Sequence, residues 1–136
     1  MPLDGIECDD SHWPIVIFRT VGVPTDTQVD RFIARADEFL ARRQPYVVIF
    51  DNSEPGRATK YMRRRAGEWL KANETELGAH CLGTGLVFRN AALRFVLSTV
   101  MLVVSHPVEH RVCKTVDEAL KWGRERLRLQ SSAQVS

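Results

Sequence analysis

Five consecutive apolar residues, Tyr46, Val47, Val48, Ile49 and Phe50, run without alternation into Asp51. A strand with one wet face alternates apolar and polar side chains, whereas a strand covered on both faces need not. The run therefore predicts an interior strand of a largely parallel sheet. Parallel neighbours must be joined by crossovers, usually helices. The rest of the chain has that form. Trp13 to Arg19 is an apolar, β-branched run, Leu82 to Phe88 is a third strong strand, and Arg111 to Lys114 is a short one. Ile6 to Asp9 is a weaker candidate for an edge strand.

Helical spacing fills the intervals. Thr25 followed by Gln28 has the spacing of a capping box, which starts a helix with Val29, Phe32, Ile33, Ala36 and Leu40 on one face. Residues 52–56 read as a loop, and a second helix is expected from Thr59 to Thr75. Ala91 to Met101 reads as a third, and Thr115 to Glu118 is a further capping box opening a last helix with Val116, Ala119, Leu120, Gly123 and Leu127 inward. The expected fold is α/β: a single, mostly parallel sheet of four to five strands packed with helices. One domain covers residues 1–129, with 1–12 as candidate edge strand and loop. Gln130 to Ser136 is expected to be a disordered polar tail.

Composition narrows the function classes. The 136 residues carry nineteen Lys+Arg against seventeen Asp+Glu, a formal +2, and 44% are hydrophobic. That balance argues against a general nucleic-acid binder and against disorder. The N-terminus shows neither the basic nor the apolar region of a signal peptide, and no apolar stretch reaches the ~20 residues of a membrane span. The expected location is the cytoplasm, where Cys8, Cys81 and Cys113 would be free thiols.

The charge is unevenly placed. Residues 57–71 hold Arg57, Lys60, Arg63, Arg64, Arg65 and Lys71 against Glu68 alone, a local +5. The first ten residues carry Asp4, Glu7, Asp9 and Asp10 and no base. At about 100° per residue, Met62, Ala66, Trp69 and Leu70 share one arc of the second helix. Arg63 and Arg65 flank that arc, while Lys60, Arg64 and Lys71 point away from it. Positive charge in a first helical turn opposes the macrodipole, and a bound anion or an acidic surface would offset it. The ordinary alternative is a solvated face with salt bridges. The Ala91 to Met101 helix is apolar almost all round, apart from Arg94 and Ser98. Such a helix is met by burial under a loop and a neighbouring helix, by a second subunit in a homodimer, or by walling an apolar ligand pocket.

Catalytic signals are poor. There is no nucleophile elbow and no phosphate-binding loop. Gly83-Thr84-Gly85 lies inside a strand pattern and reads as close packing. His106, His110 and Cys113 have metal-like spacing, but Pro107 and the strand reading break any shared face and a fourth ligand is missing. No cofactor, metal or catalytic residue is expected.

The span from Trp13 to Leu127 resembles the SpoIIAA-like, STAS-related proteins of bacteria, often labelled STAS/SEC14-type domains. The resemblance rests on element order, on the strand ending in Asp51 before a Trp69-bearing helix, on the Gly83 to Phe88 strand followed by Arg94, and on the closing stretch Thr115 to Trp122. It implies a non-catalytic regulatory module acting through protein contacts. Related anti-sigma-factor antagonists carry a phosphorylatable serine in an Asp-Ser-Ser-Gly-like turn, which this chain lacks. Its nearest hydroxyls are Ser53 and Thr59, the latter eight residues after Asp51. Thr59 is equally a favoured N-cap. The expected surface comprises Arg57, Lys60, Arg63, Arg64 and Arg94, facing an acidic protein partner. The alternative is a small anionic or lipid-like ligand in an apolar pocket walled by Ala91 to Met101.

Overall fold

The computed structural model describes residues 5–54, 56–103 and 108–135, and the side chains at 100–103 and 132–135 fall outside that description. Pro55, His106 and the acidic Asp4 therefore lie outside the described residues. In chain order the elements are β1 (Gly5–His12), β2 (Ile15–Val21), α1 (Asp26–Ala41), β3 (Tyr46–Asp51), α2 (Lys60–Ala72), α3 (Glu74–His80), β4 (Cys81–Val87), α4 (Ala91–Val103), β5 (His110–Cys113) and α5 (Val116–Val135). The strands form one five-stranded sheet in the order β1-β2-β3-β4-β5. β1 is antiparallel to β2, and the three remaining pairs are parallel.

The unalternating run in β3 is explained by burial from both sides. Val47 and Ile49 join Ile15, Ile17, Val87, Ala119 and Leu120 in a cluster beneath α5. Tyr46 joins Val16, Phe18, Phe39, Leu40 and Leu77 on the opposite face, with Val48 and Phe50 packed against that cluster. β2 and β3 lie in register, Val16 beside Val48 and Phe18 beside Phe50. Aromatic rings concentrate on this second face, where Phe18 meets Phe32 edge-on at 4.9 Å and stacks on Phe50 at 5.9 Å.

The capping box expected at Thr25 forms in full, and the one expected at Thr115 forms in half. The Gln28 backbone N–H donates to Thr25 Oγ1 at 3.2 Å, and the Thr25 N–H donates to Gln28 Oε1 at 2.8 Å. Such a cap contributes about 1 kcal/mol. At the start of α5 the Glu118 N–H donates to Thr115 Oγ1 at 3.1 Å, while the Glu118 carboxylate accepts from the Lys114 N–H rather than from Thr115.

Three expectations need correction. The helix expected from Thr59 to Thr75 stops at Ala72, and α3 follows it directly. Asn73 causes the break: its side-chain amide and its backbone N–H both donate to the Trp69 carbonyl, at 2.8 and 3.0 Å. Asparagine competes with the helical ladder in this way, and Leu77 of α3 is then free to enter the aromatic face. The segment from Gln130 is not a disordered tail, because α5 continues to Val135. Finally, the apolar α4 is not enclosed within the chain. Phe95 is 74% exposed and Val96 55%.

A candidate binding groove and its basic rim

α2 approaches the sheet through the arc its sequence marks out. Ala66, Trp69 and Leu70 face a cavity of about 270 Å³ whose floor is the aromatic side of the sheet: Phe18, Tyr46, Val48, Phe50, Leu86 and Thr84. Phe32, Ile33, Ala36 and Phe39 of α1 and Leu77 of α3 close it on one side. No acid, lysine or arginine lines it, and Thr84 and His110 are among its few polar side chains. Leu70 is 41% exposed, and Val48, Phe50 and Leu86 are only half-buried, so the cavity is a groove open to solvent. A closed core of the same residues would bury them, since protein interiors pack with few voids larger than water. Cys81 lies at the groove, and burial pushes its thiol up to about 11, making it a poor nucleophile at neutral pH.

α2 is held over this groove from two sides. On the α1 side, the Trp69 indole N–H donates to Asp37 and the Tyr61 hydroxyl to Asp30, while Arg65 lies 3.4 Å from Asp30. At its N-terminus, Gly56 pairs with Gly22 in a single parallel bridge, and the Arg57 N–H donates to the Gly22 carbonyl at 3.0 Å. Both glycines are required there. Gly22 has φ 67°, and a Cβ on Gly56 would lie 2.9 Å from the Gly22 oxygen.

The residues expected to form the interaction surface divide by role. Thr59 is an N-cap, accepting from the Met62 N–H at 3.1 Å. The Ser53 hydroxyl and N–H both donate to Asp51 Oδ1. Asp51 is buried, and Arg19 ties it (3.9 Å) to Glu54 (3.3 Å) and Glu7 (3.8 Å). Arg94 folds back onto the carbonyls of Phe88 and Arg89, at 2.8 and 2.6 Å. Arg63 does the same to the Ala58 carbonyl at 2.9 Å. In each case an arginine four residues after the cap braces the loop that precedes its own helix. Arg64 pairs with Glu68 at 3.7 Å and lies over the Tyr61 ring. Arg57, Lys60 and Lys71 make no ion pair among the described residues.

Arg57 and Ser53 meet in a shallow depression at the carboxyl ends of the strands, together with Thr20, Asn52, Met62, Arg89 and Leu93. Lys60, Arg63, Arg64 and Arg94 do not line it. No residue of α4 whose side chain is described lines the groove; Leu93 of α4 lines the shallow depression instead. The groove itself was only half visible in the sequence. Ala66, Trp69 and Leu70 of the predicted arc mark one wall, but the matching floor comes from three strands distant in sequence.

Comparison with solved structures places this architecture. An uncharacterised protein of the DUF3478 family from Shewanella loihica PV-4, with a SpoIIAA-like fold, superimposes with a TM-score of 0.68 over 90% of this chain and 97% of its own, at 16% sequence identity. The fold is SpoIIAA-like. No family model and no curated protein matches the sequence. Apart from the added α3, the expected element order and sheet are those observed. Among the described residues no helix is long and apolar enough to cross a membrane.

Proposed function

We propose that this chain is a binding module without chemistry of its own, and that its site is the groove beneath α2 with the basic residues along the rim. The observation that carries this reading is a groove of about 270 Å³ lined by aromatic and aliphatic side chains, left open beside the most basic helix of the chain. A SpoIIAA-like fold by itself assigns no function, because one fold hosts many. The site must therefore supply the argument. Open apolar surface of this kind is costly to leave in water and marks an interaction or ligand site. The cavity is roughly twice the ~150 Å³ apolar cavity that takes a benzene. It accepts an apolar group, and the rim favours an occupant that also carries negative charge.

The test is a titration with the neutral dye N-phenyl-1-naphthylamine, whose fluorescence rises in an apolar site. Saturable uptake is expected, with Leu86→Trp filling the groove and reducing uptake at least tenfold. Absence of uptake, or uptake indifferent to Leu86→Trp, would sink the proposal. The regulatory role that the resemblance implies remains part of this reading. It would be exercised through whatever the groove holds, with Arg63, which flanks the groove-facing arc of α2, as the nearest charged contact.

A further inference from the structure

We infer that the depression at the carboxyl ends of the strands is a second binding site, for a small organic phosphate monoester, with Arg57 and Arg89 taking the phosphate. The site is separate from the groove and shares no lining residue with it. In open α/β sheets, ligands bind in the crevice outside the carboxyl ends of the strands. Two loops border it here, one leading from β3 into α2 and one from β4 into α4. The depression holds about 590 Å³, and another of about 410 Å³ adjoins it at Ser53 and Arg89. Both volumes fall within the range of small-molecule sites.

Charge is the first observation. One loop contributes Arg57 and the other Arg89, and Lys114 joins Arg89 in the adjoining depression. None of these three side chains has an ion pair or hydrogen bond among the described residues. Glu54 is the one acid among the described residues that line either depression, and Arg19 takes it at 3.3 Å. Two unpaired guanidiniums suit a doubly charged oxyanion, because each can donate in a fork to phosphate oxygens.

The second observation concerns the backbone of the walls. A bare carbonyl there would repel an anion. The carbonyls of Ala58, Phe88 and Arg89, three of the lining residues, are each covered by a guanidinium. Arg63 donates to the first at 2.9 Å, and Arg94 to the other two at 2.8 and 2.6 Å. The same bonds brace both loops, together with those from the Arg57 N–H to Gly22 and the Phe88 N–H to Cys113, at 3.0 and 3.1 Å. A site fixed before its ligand arrives loses less freedom on binding. The helix caps are already occupied, Thr59 by the Met62 N–H and Asn90 by the Leu93 N–H. The positive charge therefore comes from the arginine side chains.

The third observation is an apolar patch in the same depression, made by Met62, Phe88 and Leu93. Inorganic phosphate would leave it uncovered. An organic group esterified to the phosphate would cover it, and a monoester keeps close to two negative charges at neutral pH.

The experiment titrates the full chain with phenyl phosphate by isothermal calorimetry. Saturable binding is expected, weakening as salt is raised, with phenol and inorganic phosphate each at least fivefold weaker. Arg57→Gln and Arg89→Gln should each lower the affinity at least fivefold and leave the melting temperature unchanged. Lys71→Gln removes the same charge from the far end of α2 and should change the affinity less than twofold. Leu86→Trp, which fills the groove, should leave phenyl phosphate binding as it was. Absence of saturable binding, equal binding of phenol or inorganic phosphate, or affinity indifferent to Arg57→Gln and Arg89→Gln overturns the proposal. So does an equal loss in Lys71→Gln, which would mean diffuse attraction rather than a site. A loss in Leu86→Trp would put the ligand in the groove, defeating this site and leaving the groove standing. Phosphatidate vesicles present the same chemistry on a membrane. Arg57-dependent capture by those vesicles, with no binding of phenyl phosphate, would defeat the small-molecule ligand.

Discussion

The two faces of the sheet are built from alternate residues of the same strands, yet they are packed to different standards. Beneath α5, Val47 and Ile49 are fully buried, a Cβ on Gly83 would lie 2.5 Å from the Trp122 ring, and one on Gly123 would lie 3.2 Å from Val47. Across the sheet, Val48 and Phe50 are half-buried beside a cavity of about 270 Å³. The α5 face has no slack, and the α2 face has room. Stability should therefore depend mainly on the first face and binding on the second.

The largest expected contrast lies within neighbouring strands. Ile49→Ala should cost about 2–5 kcal/mol, because it opens a cavity in a closed core. Leu86→Ala should cost less than about 1.5 kcal/mol, because its neighbours are already in contact with water. Urea denaturation of the two variants measures both. Equal losses would mean that the groove is closed in solution and that the contrast between the faces is false.

Close packing under α5 can be probed in the other direction. Gly83→Ala should cost about 1–3 kcal/mol by forcing the Trp122 ring aside. Much of that loss should return when Trp122→Leu is added, and a double-mutant cycle by the same denaturation reads the recovery. Additive losses would show that the Trp122 ring is not what Gly83 accommodates.

The groove face carries a pH dependence of its own. The Cys81 thiol ionises near 9.0 in the unfolded chain, and burial holds it protonated up to about 11 in the folded one. The folded state binds the extra proton between those values, so stability should be full below pH 9 and fall as the pH rises towards 11. Tyr46, raised by burial in the same way, adds to the fall at higher pH. Comparing thermal melts of the chain and Cys81→Ala from pH 8 to 11 isolates the cysteine. An unchanged slope in the variant would show that the thiol is wet.

The smallest effects belong on the exposed helices. Gly67→Ala should raise stability by about 0.4–1 kcal/mol. Phe95→Ser, at a position 74% exposed, should stay within about 0.5 kcal/mol of the parent. A much larger loss for Phe95→Ser would place that side chain against another surface in solution, a second copy being the first to check by light scattering.

Much of this was legible in the chain because the signals are local. Thr25 with Gln28 announces α1, Thr115 with Glu118 announces α5, and the unbroken Tyr46 to Phe50 run announces a strand covered twice. Asn73 was harder to read, since its side-chain bond to Trp69 competes with a helical pattern that continues through it. Arg63 and Arg94 carry no mark that they brace their own loops rather than face a ligand. That depends on where the Ala58, Phe88 and Arg89 carbonyls come to lie.

By itself the sequence determined the α/β order of elements, the N-terminal caps at Thr25 and Thr115 and the concentration of positive charge on α2, all consequences of residues within a few positions of one another. Tertiary structure decided that an apolar groove lies under α2. A void is the distance left between elements after each has packed. Its floor on β2, β3 and β4 and its wall on α2 meet only when the sheet has formed.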